Sequence, residues 1–278
     1  MIYTFRNIEY DLSARTYIMG ILNITPDSFS GDGKYIDGKL DLIKVIEDGA
    51  KMERDGADFI DIGGESTRPG AKEISIDEEL ERVIPVISEL KKRIKIPISI
   101  DTYKSAVAEE ALKAGAEIIN DISGFRFDKE MPEIAGRYRA SCILMHIKGI
   151  PGNMQINPVY ENVIEEIKSY LQVSINDANE AGVKQLIIDP GIGFGKKLEH
   201  NLIILKRLKE FSSLGFPIII GLSNKRFIDN IFPTPVNERL EGTIAANTAA
   251  ILNGANIIRV HNVLSNKRAA RIADALKK

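Results

Sequence analysis

Tryptophan is absent from these 278 residues, cysteine occurs once and histidine three times. The single Cys142, inside the apolar run SCILM, excludes an internal disulfide and suits a reducing compartment, so a cytoplasmic location is expected. His146, His200 and His261 have no H-x-H or H-E-x-x-H spacing, which argues against a histidine zinc site, and His200 is expected on a helix surface. Neither sign of charge is in excess. Lys plus Arg number 37 and Asp plus Glu 39, a net charge of -2 that offers no electrostatic footprint for nucleic acid or an anionic membrane. No apolar run approaches the ~18 residues of a membrane span, and the opening MIYTFRNIEYDLSAR has no apolar core of a signal peptide, so a soluble chain is expected. Linkers and low-complexity segments are also missing. The reading is one domain over residues 1–278, with 1–12 as an extra N-terminal hairpin or cap.

What is present is repetition. Short β-branched runs occur eight times: YIMGILN (17–23), ADFIDIG (57–63), IPISID (96–101), AEIIND (116–121), ASCILMH (140–146), QLIIDP (185–190), FPIIIGL (216–222) and ANIIRVH (255–261). The stretches between them, such as SIDEELERVIPVISELKKR, carry apolar residues at three- and four-residue spacing with charged outer faces, the pattern of amphipathic helices. Four junctions, DGADFIDIG, AGAEIIND, AGVKQLIID and NGANIIRVH, place a Gly where a helix needs a left-handed final residue just before the next strand. Eight strands apolar on both faces, each followed by a helix, imply an all-parallel sheet, and at this length the economical closure is an α/β (β/α)8 TIM barrel rather than an open doubly wound sheet.

In a parallel barrel every strand opens on one rim, and that rim holds the site. Asn23 follows the first strand; Glu65, Ser66, Thr67 and Arg68 the second; Asp101 the third; Asn120 and Asp121 the fourth; His146 the fifth; Asp189 the sixth; Ser223, Asn224 and Lys225 the seventh; Arg259, His261 and Asn262 the eighth. One such residue would be a turn or cap, but eight strands ending this way describe a site. Asp101 and Asp189 end strands that enter the core, where a carboxylate is costly unless something donates to it, so an N–H-rich ligand fits. Asn23, Ser66, Thr67, Arg68, Lys225, Arg259 and His261 suit a phosphate or other polyanion.

Other motifs fail. PGIGFGKK is not a phosphate loop, because Pro190 and Lys197 occupy the first Gly and final Ser/Thr positions; its glycines are expected to let backbone approach a ligand. Lys225 beside Arg226 suits contact with a bound anion or heterocycle better than a Schiff base. No G-x-S-x-G elbow exists for a serine hydrolase.

MGILNITPDSFSGDGKY, DIGGESTRPGA, ISIDT, INDISG, LMHIKGIPGNMQ, DPGIGFGK, GLSNKRFI and RVHNV, ordered from residue 19 to 263, resemble the signature segments of the dihydropteroate synthase family of pterin-binding barrels. The resemblance implies condensation of 6-hydroxymethyl-7,8-dihydropterin diphosphate with p-aminobenzoate to 7,8-dihydropteroate and diphosphate, with Mg2+ as cofactor. It implies Asp101, Asn120, Asp189 and Lys225 as the catalytic set at the pterin edge, with Met145 and Phe194 as apolar walls and Gly221 and Ser223 also at the substrate. Arg259 would lie against the ring and touch phosphate. Thr67 and His261 would be further anion ligands, Asn23 would hold the metal, and Thr67, Arg68, Pro69, Lys225 and Arg226 would lie near the aminobenzoate. GGESTRPGA and TPDSFSGDGKY would close over the mouth, glycines making the first of these loops mobile. A homodimer through late helices such as EGTIAANTAAILNG is implied too.

Three departures from the family pattern stand out: Asn224 where Arg is usual, the order Ser30, Gly31, Asp32, Gly33, and Asn262 where Asp is common. The alternative readings are a corrinoid-linked methyltransferase of the wider pterin-binding group, against which the Asn23 motif and ESTRPGA count, and a non-catalytic pterin-binding paralogue, which Asn224 alone favours.

Overall fold

The computed structural model describes residues 1–25, 35–36 and 39–277. A hairpin of β1 (Ile2–Phe5) and β2 (Ile8–Asp11) opens the chain. Eight parallel strands follow: β3 (Tyr17–Asn23), β4 (Phe59–Gly63), β5 (Ile98–Asp101), β6 (Ile118–Asp121), β7 (Ser141–Met145), β8 (Leu186–Asp189), β9 (Ile219–Gly221) and β10 (Ile257–Val260). They run in the order β8-β7-β6-β5-β4-β3-β10-β9, and a single parallel bridge, Ile188 to Ile218, completes the ring between β8 and β9. This is the expected barrel, in a nearly closed form.

Helices cover its outside: α1 (Leu42–Arg54), α2 (Ile76–Arg93), α3 (Ser105–Ala114), α4 (Met131–Arg137), α5 (Val163–Glu180), α6 (Leu198–Lys206), α7 (Arg226–Ile231), α8 (Leu240–Leu252) and α9 (Val263–Lys277). Asp41 and Ser75 cap α1 and α2 by accepting the amides of Lys44 and Glu78. The four glycines read as helix terminators, Gly56, Gly115, Gly182 and Gly254, all have φ between 80° and 117°, a range that Cβ-bearing residues rarely adopt.

Two apolar layers result. The larger lies between helices and strand exteriors and includes Ile18, Leu22, Ile60, Ile62, Ile98 and Ile100. The smaller fills the barrel interior with Tyr17, Met19, Phe59, Ile118, Ile143, Ile187, Ile219 and Ile257, and the hairpin plugs its bottom with Tyr3, Phe5 and Leu12. Phe59 packs edge-on to Phe5 at 5.3 Å between ring centroids, and Tyr10 and Tyr17 lie 5.5 and 6.1 Å away. The Tyr3 hydroxyl donates to the Leu186 carbonyl at 2.5 Å, tying the plug to β8. Among the described residues no helix is long and apolar enough to cross a membrane.

Phe59→Ala is expected to lower unfolding free energy by ~3–5 kcal/mol, because the plug leaves no freedom for the site to collapse, whereas Phe59→Leu should cost much less. Urea titrations followed by circular dichroism check this, and equal midpoints for the two variants would contradict it.

Candidate active site

Because side chains alternate along a strand, the residue two positions beyond each buried interior residue also points into the barrel, one layer nearer the rim. Phe59 is followed by Asp61 and Gly63, Ile118 by Asn120, Ile143 by Met145, Ile187 by Asp189, Ile219 by Gly221, and Ile257 by Arg259 and then His261. The register sets Asn23, Gly63, Asp101 and Asn120 side by side on four adjacent strands, Met145 beside Asp189, and Gly221 beside Arg259. A cavity of about 910 Å³ opens above them. Asn23, Thr67, Arg68, Pro69, Asp101, Phe194, Gly221, Ser223, Lys225, Arg226, Arg259 and His261 all border it. Asn120, Met145 and Asp189 do not; they are buried in the floor.

Arg259 spans that floor. Its Nε donates to Asp61 Oδ2 and its Nη2 to Asp101 Oδ2, each at 2.6 Å, while the Asn120 amide donates to the same Asp61 oxygen at 2.9 Å. Asp61 is wholly buried, and its other oxygen has no hydrogen-bond partner among the described residues. Asp61 lies inside the apolar run FIDIG, where no polar strand end marks it as a site residue. Counting by twos from Phe59 would have found it.

Burial pushes the Asp101 carboxyl up to about 7, against the pull of the Arg259 guanidinium. Burial likewise lowers the Lys225 ammonium to about 8, with Asp189 opposing. Asp189 is raised by burial even though it accepts the Gly191 amide at 2.7 Å. Lys225 Nζ stands 4.0 Å above the Phe194 ring, and Phe194 and Met145 belong to one small apolar cluster with Ile122, Ile147 and Met154. The His261 ring Nδ1 lies 2.9 Å from Ser223 Oγ.

Several rim residues have other roles. Asp121 faces away from the barrel axis and builds a turn, accepting from the Ser123 amide and hydroxyl and the Phe125 amide. His146 is buried with Nδ1 2.8 Å from Lys196 Nζ, and Lys196 also donates to the Phe194 carbonyl at 2.9 Å. Of the glycines of PGIGFGKK, two serve backbone packing: a Cβ on Gly191 would lie 2.0 Å from the His146 carbonyl oxygen, and one on Gly195 2.2 Å from that of Lys148, whereas Gly193 borders the cavity and a Cβ there would meet only the Lys225 side chain, at 3.4 Å. In the second loop, a Cβ on Gly64 would meet Val83 at 2.8 Å, so this glycine answers to close packing and not to mobility. Residues 26–34, with the expected first-loop closure and the Ser30 to Gly33 departure, lie outside the described residues. Asn224 has φ of 59°, a left-handed conformation that Asn tolerates better than Arg, and its carbonyl accepts from Arg239 at 3.1 Å. His200 is half-buried on α6 and accepts the Lys197 amide at 3.1 Å.

A family model described as pterin binding enzyme matches residues 19–261. The chain belongs to that family. It is 47% identical to the dihydropteroate synthase of Clostridium beijerinckii, over 96% of this chain and 97% of that one. Its structure is similar to that of Clostridium difficile dihydropteroate synthase determined in the presence of pteroic acid, with a TM-score of 0.89, 47% identity and coverage of 96% and 98%. It is similar also to the Yersinia pestis dihydropteroate synthase in complex with a sulfonamide drug, with a TM-score of 0.94, 40% identity and coverage of 100% and 99%.

Asp101 is charged above about 7 and Lys225 below about 8, so a reaction that needs both charged forms works in a narrow window. The pH profile of kcat/KM is expected to rise through pH ~7 and fall above ~8. An alkaline limb unmoved by Lys225→Arg would assign that limb to another group.

Proposed function

We propose that this mouth condenses 6-hydroxymethyl-7,8-dihydropterin diphosphate with p-aminobenzoate, giving 7,8-dihydropteroate and diphosphate. A transferase of folate synthesis is what the family membership and the near-full-length relatives support. The observation that carries the reading is the joining of Asp101 to Arg259 in a cavity that also holds Lys225 and His261. Carboxylates for an N–H-rich ring and cations for a diphosphate meet at one place.

In this reading Asp101, Asn120 and Asp189 engage the pterin edge, Lys225 its oxo group and ring nitrogen, and Met145 and Phe194 its faces. Arg259, Thr67 and His261 receive the diphosphate. Pro69, Arg68 and Arg226 lie toward the aminobenzoate, with Gly221 and Ser223 beside the ring. The C–O bond to diphosphate breaks and its electron pair leaves with the phosphate. Positive charge spreads into the pterin, where the Asp101 carboxylate stabilises it. The arylamine nitrogen then forms the C–N bond and its proton passes to solvent. No nucleophilic side chain is required.

Mg2+ fits the mouth. Asn23 borders the cavity and offers an amide oxygen, a hard donor of the kind Mg2+ takes, on the same mouth as Thr67, Arg259 and His261. Mg2+ takes few protein ligands and fills its shell with phosphate and water, so Asn23 would suffice to hold it beside the diphosphate. When bound it would neutralise charge on that leaving group. A cytoplasmic setting suits the buried thiol of Cys142.

A homodimer through α8 and α9 completes the proposal. Within the chain Asn247 of α8 donates to Asn266 of α9 at 2.8 Å, which uses part of the small-residue face, while Leu252, Ile272 and Leu276 remain exposed. Sedimentation velocity at micromolar protein is expected to give the dimer; monomer alone would remove the idea.

Asp101→Asn keeps an oxygen acceptor for Arg259 but removes the charge, and kcat is expected to fall by at least ~100-fold with pterin binding much less affected. An unchanged kcat would make Asp101 a structural acceptor only. Incubation of the wild type with the pterin diphosphate, Mg2+ and labelled p-aminobenzoate tests the reaction itself, and the absence of a coupled product would sink the reading.

A further inference from the structure

The loop from Gly64 to Ser75 carries Thr67 and Arg68 to the mouth, and its body is open to solvent: Arg68, Pro69, Gly70, Lys72 and Glu73 are all exposed. Its two stems are not. Lys104, three residues beyond Asp101 on the neighbouring connection, extends a buried ammonium between them. That ammonium donates to the Glu65 carboxylate at the start of the loop, to the Ile74 carbonyl at its end (2.8 Å) and to Glu79 in α2 (2.8 Å). Three donors thus meet three acceptors, the full capacity of a lysine. Tyr103 adds a second hold on Glu65, its hydroxyl donating to Oε1 at 2.7 Å, and is itself braced edge-on against Phe127. The side chains of Lys104, Glu65 and Glu79 are 10%, 6% and 1% exposed, so water does not screen the cluster as it would a surface pair. By contrast the backbone hydrogen bonds of the loop body are Gly70 N to the Pro151 carbonyl at 3.4 Å and Ala71 N to the Arg68 carbonyl at 3.0 Å.

We propose that Lys104 is a positioning residue for the aminobenzoate: by holding both stems of the loop it sets where Thr67 and Arg68 stand relative to Asp101, without itself touching a substrate. The inference rests on the reading that this loop meets the aminobenzoate. Lys104 and Asp101 leave the same strand, β5, so the clamp ties the loop directly to the pterin-binding floor. A chain fixed at two points samples fewer positions at its tip than one fixed at one, and a mispositioned tip weakens the second substrate while leaving the first in place.

Lys104→Met removes the charge and Lys104→Arg keeps it. In the ligand-free protein, amide exchange across residues 66–73 is expected to quicken ~10-fold or more in Lys104→Met and to return toward wild type in Lys104→Arg. The KM for p-aminobenzoate should rise ~10-fold while pterin affinity, read by calorimetry, changes by no more than ~2-fold. Should Lys104→Met fail to fold, Glu65→Gln releases one stem with the Tyr103 contact retained, and the same changes are expected. Unchanged exchange overturns the clamp. Faster exchange with an unchanged KM overturns the positioning role, provided that Arg68→Ala raises that KM. If Arg68→Ala also leaves KM unchanged, the reading of the loop fails and the inference falls with it.

Discussion

The pleat of a closed parallel barrel is the constraint on which the rest of this molecule depends. Alternate residues of every strand must point inward, and the interior narrows to a column that apolar side chains fill from the bottom. Phe59, Ile118, Ile143, Ile187, Ile219 and Ile257 form that column over the aromatic plug of the hairpin. The next inward position on each strand is therefore the first with access to the mouth. Those positions hold Asp61, Asn120, Met145, Asp189, Gly221 and Arg259. The site is the top layer of the core, with polar groups in place of isoleucines.

Such a layer is stable only if its charges answer one another. Arg259 reaches two carboxylates on two strands, and the Asn120 amide adds a second donor to the Asp61 oxygen that Arg259 holds. The guanidinium suits this place because it donates from fixed, separated nitrogens and keeps its charge when buried, which an ammonium would not. Asp101 and Lys225 pay for the same burial in their titration, one raised to about 7 and the other lowered to about 8. Groups held near neutrality in opposite directions are what a charge-separating substitution at neutral pH can use.

The glycines around the mouth divide into two kinds. A Cβ on Gly63 would have no neighbour nearer than 3.5 Å, so this glycine leaves room between Asn23 and Asp101, whereas Gly64, Gly191 and Gly195 are required because another part of the protein lies where a side chain would stand. Close packing of the connections against one another, rather than looseness, is what lets short loops carry site residues. The Lys104 cluster belongs to the same economy of space: a buried cation holds two connections that the backbone alone would leave separate.

The sequence by itself determined the repeating strand and helix pattern, its parallel closure, the terminating glycines and the rim residues that follow each strand, because period, turn chemistry and burial are local properties written in consecutive residues. It carried the family as well, through long signature runs. Asp61 was hidden inside an apolar run, and the separation of Asn120 from Asp121, one inward and one in a turn, is decided by the pleat and the register. His146 likewise ends a strand as a site residue would, yet it packs on Lys196, 50 residues away. Only the tertiary structure could decide these, since each depends on which distant group occupies the facing position when the barrel closes.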